Sequence, residues 1–280
     1  MTVSGNNLRG TRESDRPSDG SELHVTQDGP RDAPALLLIH GTAASGRSWD
    51  PMVPLLTGSH RAIRVDLLGC GESAGLGAVG YSVPDQAHRV AAALDRLGVE
   101  KVVAVGHSSG SAVATALAEL RPDLVSAVVV MDFGPHMRAY LDPLLPAVSK
   151  PWSELSDDQF RELMRSGFSP DYEIPQEYVD QFRDIDPVVF AAASQANLAY
   201  IDERSLPERL APLGKPLLVI FGEDDTRFDS AFTVEYRVVP DTTVVLLPGV
   251  GHSPNLEDPA RTAAALLAFT GDHDTAGTDR

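Results

Sequence analysis

The chain has 280 residues, 42% of them hydrophobic, which is enough to bury the core of one large α/β domain or two small ones. Its formal net charge of −17 repels phosphate backbones and anionic lipid surfaces, so we expect neither a nucleic acid nor a membrane as partner. The single cysteine, Cys70, excludes an internal disulfide and any thiolate cluster for zinc or an iron–sulfur centre.

The two ends of the chain are polar. Residues 1–20 are rich in Ser, Gly, Asp and Arg and lack the apolar run of a secretion signal, so we predict a disordered tail there and a cytoplasmic protein. Residues 272–280 are predicted to form a second, flexible tail. The longest apolar stretches between the tails fall far short of the ~20 residues that cross a bilayer.

Continuous apolar runs bounded by turn residues predict strands that are buried on both faces. These runs lie at 35–39, 62–68, 102–105, 127–131, 217–221 and 244–247. Helix-like segments separate several of them, at 49–56, 85–97 and 111–120. Strands that alternate with helices predict a parallel sheet with helices on both faces, and a weaker run near Leu23 predicts an added edge strand.

The alternation of strands and helices stops between about 133 and 213, where short amphipathic helices are predicted instead. One of them begins at Ser156, with Gln159 three residues later as a capping box. Another carries Val179, Phe182 and Ile185 at helical spacing. We therefore predict one core, formed by 21–135 and 210–271, that is interrupted by a helical insertion over 136–209.

The most informative motif is Gly106-His107-Ser108-Ser109-Gly110, which stands between a predicted strand and a predicted helix. In this setting the glycines permit a sharp, strained turn that exposes the serine hydroxyl. Ser108 is therefore the leading candidate for a nucleophile.

A second glycine pattern, over 75–80, has the spacing of a dinucleotide fingerprint, and Asp95 lies twenty residues beyond its first glycine. The true fingerprint follows a strand directly and opens a helix, whereas here 69–73 intervenes and Pro84 delays the helix. We interpret the pattern as a glycine-rich loop, and we predict neither a bound cofactor nor a metal site.

Four segments of the chain, taken in order, resemble the α/β-hydrolase superfamily over about 21–271. They are 37–42, 66–73, the turn at Ser108, and 221–225 together with Gly251-His252. The resemblance implies an α/β fold with a mostly parallel, doubly wound sheet and a helical lid inserted after the sixth core strand. It also implies a serine hydrolase whose nucleophile, acid and base follow one another as Ser, Asp and His.

The catalytic triad that the resemblance implies maps onto Ser108, Asp225 and His252. A serine hydroxyl needs an adjacent imidazole to take its proton, and a carboxylate fixes the tautomer of the imidazole and stabilises its cation. Asp224 and Asp132 remain alternatives for the acid, because Asp132 ends a predicted strand where some members of the fold keep this residue.

The oxyanion hole that the resemblance implies consists of the backbone N–H groups of Ser109 and Thr42, with Ala43 as the alternative to Thr42. Ser109 stands where members of the family often carry a bulky side chain. His40 and His107 flank the expected site as structural residues. Four ring-bearing side chains are candidates for the substrate pocket: Trp49, Phe133, His136 and Trp152.

We therefore expect a cofactor-independent serine hydrolase that cleaves an ester, lactone or thioester of a small, largely apolar molecule through an acyl-enzyme. The serine at 108 argues against the dehalogenase and epoxide hydrolase branches, which use an aspartate there. Carbon–carbon bond hydrolases, lyases and acyl transferases share the triad and remain alternatives, as does a receptor-like protein with negligible turnover. The expected partner is a small-molecule substrate, and the sequence indicates no oligomeric state.

Overall fold

An eight-stranded sheet organises the residues that the computed structural model describes, which are 13–15, 22–75, 80–141 and 152–274. Its strands are β1 Glu13–Asp15, β2 Val25–Asp28, β3 Ala35–Ile39, β4 Arg61–Val65, β5 Val102–His107, β6 Val125–Met131, β7 Leu217–Gly222 and β8 Thr242–Leu247. They lie in the order β1-β2-β4-β3-β5-β6-β7-β8. Strands β3 to β8 run parallel, and β1 and β2 are antiparallel additions at one edge, so the predicted mostly parallel sheet is confirmed.

The ends of the described chain differ from the sequence-based expectation. Strand β1 lies inside the tail predicted to be disordered, and Glu13 pairs with Gln27 of β2. A polar edge strand can pair through its backbone alone, so no apolar pattern in the sequence indicates such a strand. At the other end, the last helix continues to Asp274, inside the tail predicted over 272–280. The remaining residues of both tails lie outside the described ranges.

Nine α-helices flank the sheet in the part of the chain that the structure describes. They are α1 Val53–Leu56, α2 Val83–Arg96, α3 Gly110–Leu120, α4 Asp157–Met164, α5 Gln176–Arg183, α6 Pro187–Glu203, α7 Leu206–Leu210, α8 Pro254–Glu257 and α9 Pro259–Asp274. Successive residues of β3 enter two apolar clusters, because side chains alternate between the faces of a strand. Leu37 packs in the cluster that contains Val113 of α3, and Leu36 in the one that contains Leu266 of α9.

Helices α4 to α7 lie between β6 and β7, where the insertion was predicted. The predicted capping box is confirmed, because Ser156 Oγ accepts from Gln159 N–H and Gln159 Oε1 accepts from Ser156 N–H. The insertion has its own apolar cluster between Leu155 and Phe182. Helix α7 instead buries Leu206 in the cluster that also contains Leu37 of β3. The predicted boundary at 209 therefore falls within a segment that packs on the core.

Two further expectations concern the glycine-rich loop and membrane-spanning segments. The middle of the predicted glycine-rich loop, residues 76–79, lies outside the described ranges. Among the helices of those ranges, none combines the length and the apolar character that a bilayer crossing requires.

Candidate active site

Ser108 stands on the sharp turn between β5 and α3. Its φ angle is +50°, in the left-handed region that is strained for a residue with a side chain. Two glycines allow the turn to close, because a Cβ on Gly106 would lie 2.3 Å from the carbonyl oxygen of Gly110. A Cβ on Gly110 would in turn lie 2.4 Å from the carbonyl oxygen of Ile39. The motif thus needs glycine at both positions for steric reasons.

The structure brings the three residues of the predicted triad into one line of hydrogen bonds. His252 Nε2 lies 2.9 Å from Ser108 Oγ, and His252 Nδ1 lies 2.8 Å from Asp225 Oδ2. The side chains of His252 and Asp225 are buried, so little solvent competes for these contacts. This arrangement can carry a proton from the hydroxyl to the ring while the carboxylate stabilises the resulting imidazolium.

The carboxylate of Asp225 is held by the backbone that follows it. Its Oδ1 accepts hydrogen bonds from the N–H groups of Arg227 at 2.7 Å and Phe228 at 3.3 Å. These bonds leave Oδ2 facing the imidazole of His252. Asp224, one of the alternatives for the acid, is exposed to solvent.

Asp132, the other alternative, directly follows β6 and lies beside this line without a hydrogen bond to the ring of His252. Its Oδ1 accepts from Gly222 N–H at 2.8 Å. Burial, and then the neighbouring Asp225 carboxylate, raise the pKa of Asp132 well above the usual value of an aspartate. Asp132 therefore holds its proton more tightly than an ordinary aspartate does, whereas the acid of a triad works as a carboxylate.

Potential metal-ligating atoms of Asp132, Asp225 and His252 all lie within 4.8 Å of one another. The ring nitrogen and the Asp225 oxygen that face each other already share a hydrogen bond. Raised affinity of Asp132 for its proton also weakens it as a cation ligand, because metal ions bind the deprotonated carboxylate. The donor set therefore fits the hydrogen-bonded line better than a metal centre.

Two further histidines hold the backbone around the site. Burial is the main cause that lowers the pKa of His107 to about 3, so its ring is neutral. The ring donates from Nε2 to the carbonyl oxygen of His252, at 2.7 Å. His40 donates from Nδ1 to the carbonyl of Gly41 and accepts from Leu67 N–H at Nε2. These contacts agree with the structural role expected for both rings.

The two alternatives for the second donor of the predicted oxyanion hole, Thr42 and Ala43, differ in this structure. Thr42 N–H donates to Ser109 Oγ at 2.7 Å, and Thr42 Oγ1 lies 2.8 Å from the same oxygen. The hydroxyl of Ser109 thus occupies the donor that was expected to stabilise an oxyanion. The N–H groups of Ser109 and of Ala43 have no hydrogen-bond acceptor among the described residues.

A cavity open to solvent is lined by Ser108 and His252. Its opposite wall comes from the insertion, through Met164, Phe168 and Tyr178 among others. None of these three residues was predicted to line the pocket. Met164 and Tyr178 lie on short helices, whose amphipathic spacing does not distinguish a core-facing residue from a cavity-facing one.

The four predicted pocket residues lie away from the lining of this cavity. Trp49 is fully buried in the apolar cluster on one face of the sheet. Phe133 packs edge-on against Phe228, and Trp152 stacks on Phe182 within the insertion. His136 lies 2.7 Å from a carboxylate oxygen of Glu235. Three of these four rings thus pack against other apolar side chains, because burial of their large apolar area stabilises the fold.

Comparisons with known proteins agree with this geometry. The model of the alpha/beta hydrolase family matches residues 36–265. A 2-(acetamidomethylene)succinate hydrolase from Mesorhizobium japonicum is 29% identical over 258 residues, which cover 88% of this chain and 91% of the relative. A pimeloyl-(acyl-carrier protein) methyl ester esterase from Aeromonas hydrophila is 27% identical over 247 residues, which cover 85% of this chain and 96% of the relative.

Solved structures show the same fold. A 2-hydroxy-6-oxo-6-phenylhexa-2,4-dienoate hydrolase from a Rhodococcus species superposes with a TM-score of 0.75 at 22% identity, covering 89% of this chain and 94% of that one. The family match spans most of the chain and includes the turn at Ser108. The chain therefore belongs to the α/β hydrolase family and is an α/β hydrolase enzyme.

Proposed function

We propose that this enzyme is a cofactor-independent serine hydrolase that cleaves an ester, lactone or thioester of a small, largely apolar molecule. The observation that carries the proposal is the hydrogen-bonded line from Ser108 Oγ through His252 to Asp225 Oδ2. The cavity at its open end, with apolar side chains such as Phe168 and Leu256 in its wall, supports a small, largely apolar substrate.

The proposed reaction proceeds through an acyl-enzyme. Ser108 Oγ attacks the carbonyl carbon while His252 Nε2 takes the hydroxyl proton, and Asp225 stabilises the imidazolium. The oxyanion accepts a hydrogen bond from Ser109 N–H as the carbonyl becomes tetrahedral. Collapse breaks the bond to the leaving group, which receives the proton from His252. Water then gives a proton to His252 and attacks the acyl carbon. The bond between that carbon and Ser108 Oγ breaks, Oγ takes the proton back from His252, and the acid is released.

A fluorophosphonate probe tests whether Ser108 is an activated nucleophile. We expect covalent labelling of the wild type, none of Ser108→Ala, and continued labelling of the control Ser253→Ala, which removes another hydroxyl from the same cavity. Hydrolysis of a panel of esters, thioesters and lactones should follow the labelling. A Ser108→Ala protein that retains turnover would overturn the proposal.

The alternatives that share the triad give different results in the same assays. A carbon–carbon bond hydrolase would cleave a vinylogous diketone in preference to the esters. An acyl transferase would pass the acyl group to an added alcohol or amine faster than to water. A receptor-like protein would bind ligands without turnover, and its Ser108 would not react with the probe.

A further inference from the structure

The backbone on both sides of His252 is hydrogen-bonded to one carboxylate, that of Glu257 at the end of α8. Glu257 Oε2 accepts from the N–H of Gly251 at 3.0 Å, and Glu257 Oε1 accepts from the N–H of Ser253 at 3.0 Å. These two donors belong to the immediate neighbours of His252 in the chain. The two oxygens of Glu257 therefore hold the loop that carries the imidazole.

The same carboxylate also binds the insertion. Glu257 Oε2 accepts a second hydrogen bond, 2.9 Å long, from the backbone N–H of Ser169. Ser169 is buried, and it directly follows Phe168, which lines the cavity of Ser108. One side chain thus joins the wall of the cavity to the loop of His252.

The loop of His252 lies against the insertion with no room for a side chain between them. A Cβ on Gly251 would lie 2.1 Å from the backbone nitrogen of Ser169. On the other side of His252, Ser253 Oγ donates to the carbonyl oxygen of Gly167 at 2.7 Å. Backbone therefore meets backbone here, and N–H groups from both segments converge on the carboxylate.

Helix capping alone does not account for this arrangement. Ser253 directly precedes α8, so its bond to Glu257 Oε1 satisfies a backbone donor at the start of the helix. Gly251 and Ser169 lie outside the helix, and their N–H groups use the other oxygen of Glu257. A charged acceptor forms stronger hydrogen bonds than a neutral one, which suits three donors that converge in a small space.

We propose that Glu257 is a positioning residue, which sets the place of the His252 imidazole relative to Ser108 and ties it to the insertion. Glu257 does not line the cavity of Ser108, so it acts through the backbone on either side of the ring. This inference rests on the proposed hydrolase function. The imidazolium must give its proton to the leaving group, and a misplacement of about 1 Å costs about 10²-fold in rate.

The kinetic test compares two esters of one acid that need the proton of His252 to different extents. An ethyl ester releases a basic alkoxide that must be protonated, whereas p-nitrophenolate leaves without a proton. Glu257→Gln keeps the shape of the side chain but sets an amide NH₂ against backbone N–H groups. We expect the ratio of kcat/KM for the ethyl ester to that for the p-nitrophenyl ester to fall by about tenfold in Glu257→Gln.

This ratio does not depend on the fraction of folded enzyme, so a loss of stability alone leaves it unchanged. The control Asp258→Asn changes the next carboxylate along the chain, which accepts from the N–H and Nε of Arg261, and it should keep the ratio within twofold. Glu257→Asp shortens the side chain by one methylene and should lower the ratio in the same direction as Glu257→Gln. A ratio within twofold of the wild-type value in both Glu257 variants would overturn the proposal.

A proton NMR measurement on the resting enzyme separates this proposal from the proposed function. The proton between His252 Nδ1 and Asp225 Oδ2 resonates downfield of the backbone amides, and His252→Ala identifies its signal by removing it. We expect this signal to shift or broaden in Glu257→Gln and to stay in place in Asp258→Asn. An unchanged signal in Glu257→Gln would refute the positioning role, whereas absent turnover of esters together with a displaced signal would refute only the hydrolase function.

Discussion

The hydroxyl of Ser109 accepts a hydrogen bond from the backbone N–H of Thr42, 2.7 Å away. The two residues are far apart in sequence, one after β3 and the other after β5, and the parallel pairing of these strands brings them together. An oxyanion at Ser108 that takes Thr42 as its second donor would need the same N–H group. The hydroxyl and the oxyanion would then compete for one donor.

We expect Ser109→Ala to increase kcat on an activated ester. The substitution removes the competing acceptor and keeps the backbone N–H of residue 109, so an increase of about two- to tenfold is expected from one released hydrogen bond. Steady-state kinetics of Ser109→Ala beside the control Ser253→Ala would measure it. A loss of tenfold or more in Ser109→Ala would instead show that the hydroxyl itself stabilises the transition state.

Substitutions in the hydrogen-bonded line should abolish turnover without unfolding the protein. Ser108→Ala and His252→Ala are each expected to reduce kcat by about 10⁵ to 10⁶, because the residues of a triad act as a unit. Asp225→Asn should reduce it by about 10⁴. Circular dichroism and Tm would check the fold of each variant.

Asp132→Asn is the matched comparison for Asp225→Asn, since both change a buried carboxylate at the end of a neighbouring strand. We expect Asp132→Asn to keep kcat within about tenfold of the wild type, because Asp132 does not bond to the imidazole. A larger loss in Asp132→Asn than in Asp225→Asn would reverse the assignment of the acid.

The stability of Asp132→Asn should depend less on pH than that of the wild type. Burial, and then the charges of Asp225 and Glu257, raise the pKa of Asp132, so the folded chain holds this proton more tightly than the unfolded chain. The unfolded carboxyl titrates near pH ~4, and the free energy of unfolding therefore loses this contribution as the pH rises above that value. An asparagine keeps an oxygen for Gly222 N–H and has no proton to lose.

Urea denaturation of both proteins at about pH 5 and about pH 8 measures this effect. We expect the stability of Asp132→Asn relative to the wild type to increase between the two pH values. Carboxyl groups that do not interact with Asp132 titrate alike in both proteins, so their contribution cancels in the difference. A difference that is the same at both pH values would contradict the raised pKa of Asp132.

The insertion should control which leaving groups the enzyme accepts. Phe168→Ala enlarges the cavity on the side of His252, so we expect the preference among esters of one acid to shift towards bulkier alcohols. The control is Val188→Ala, whose side chain on α6 is 75% exposed. An alcohol preference that is unchanged in Phe168→Ala would count against this role for the insertion.

The sequence predicted the sheet, and the three residues of the expected triad lie within hydrogen-bonding distance of one another in the structure, for different physical reasons. Parallel strands covered by helices on both faces leave a continuous apolar run, as in β7, which is buried along its whole length. The triad could be located because its residues recur in a fixed order in the family. Strand β1 was not predicted because it pairs through its backbone. The hydrogen bond between Thr42 and Ser109 was not predicted because it depends on a side-chain rotamer.

The cavity was the least predictable part of the site. Trp49 and Phe133 were chosen for their rings, yet both pack within the core. Residues that do line the cavity of Ser108, such as Met164 and Tyr178, belong to short helices whose orientation over the sheet is set by tertiary packing. Amphipathic spacing identifies the buried face of such a helix but not what that face covers.

The bond between the ring of His107 and the carbonyl of His252 links two distant loops at the place where they must cooperate. His107 directly precedes Ser108, so the turn that carries the hydroxyl is hydrogen-bonded to the loop that carries the imidazole. The position of the imidazole is thereby tied to that of the hydroxyl through a contact that belongs to neither residue's own side chain.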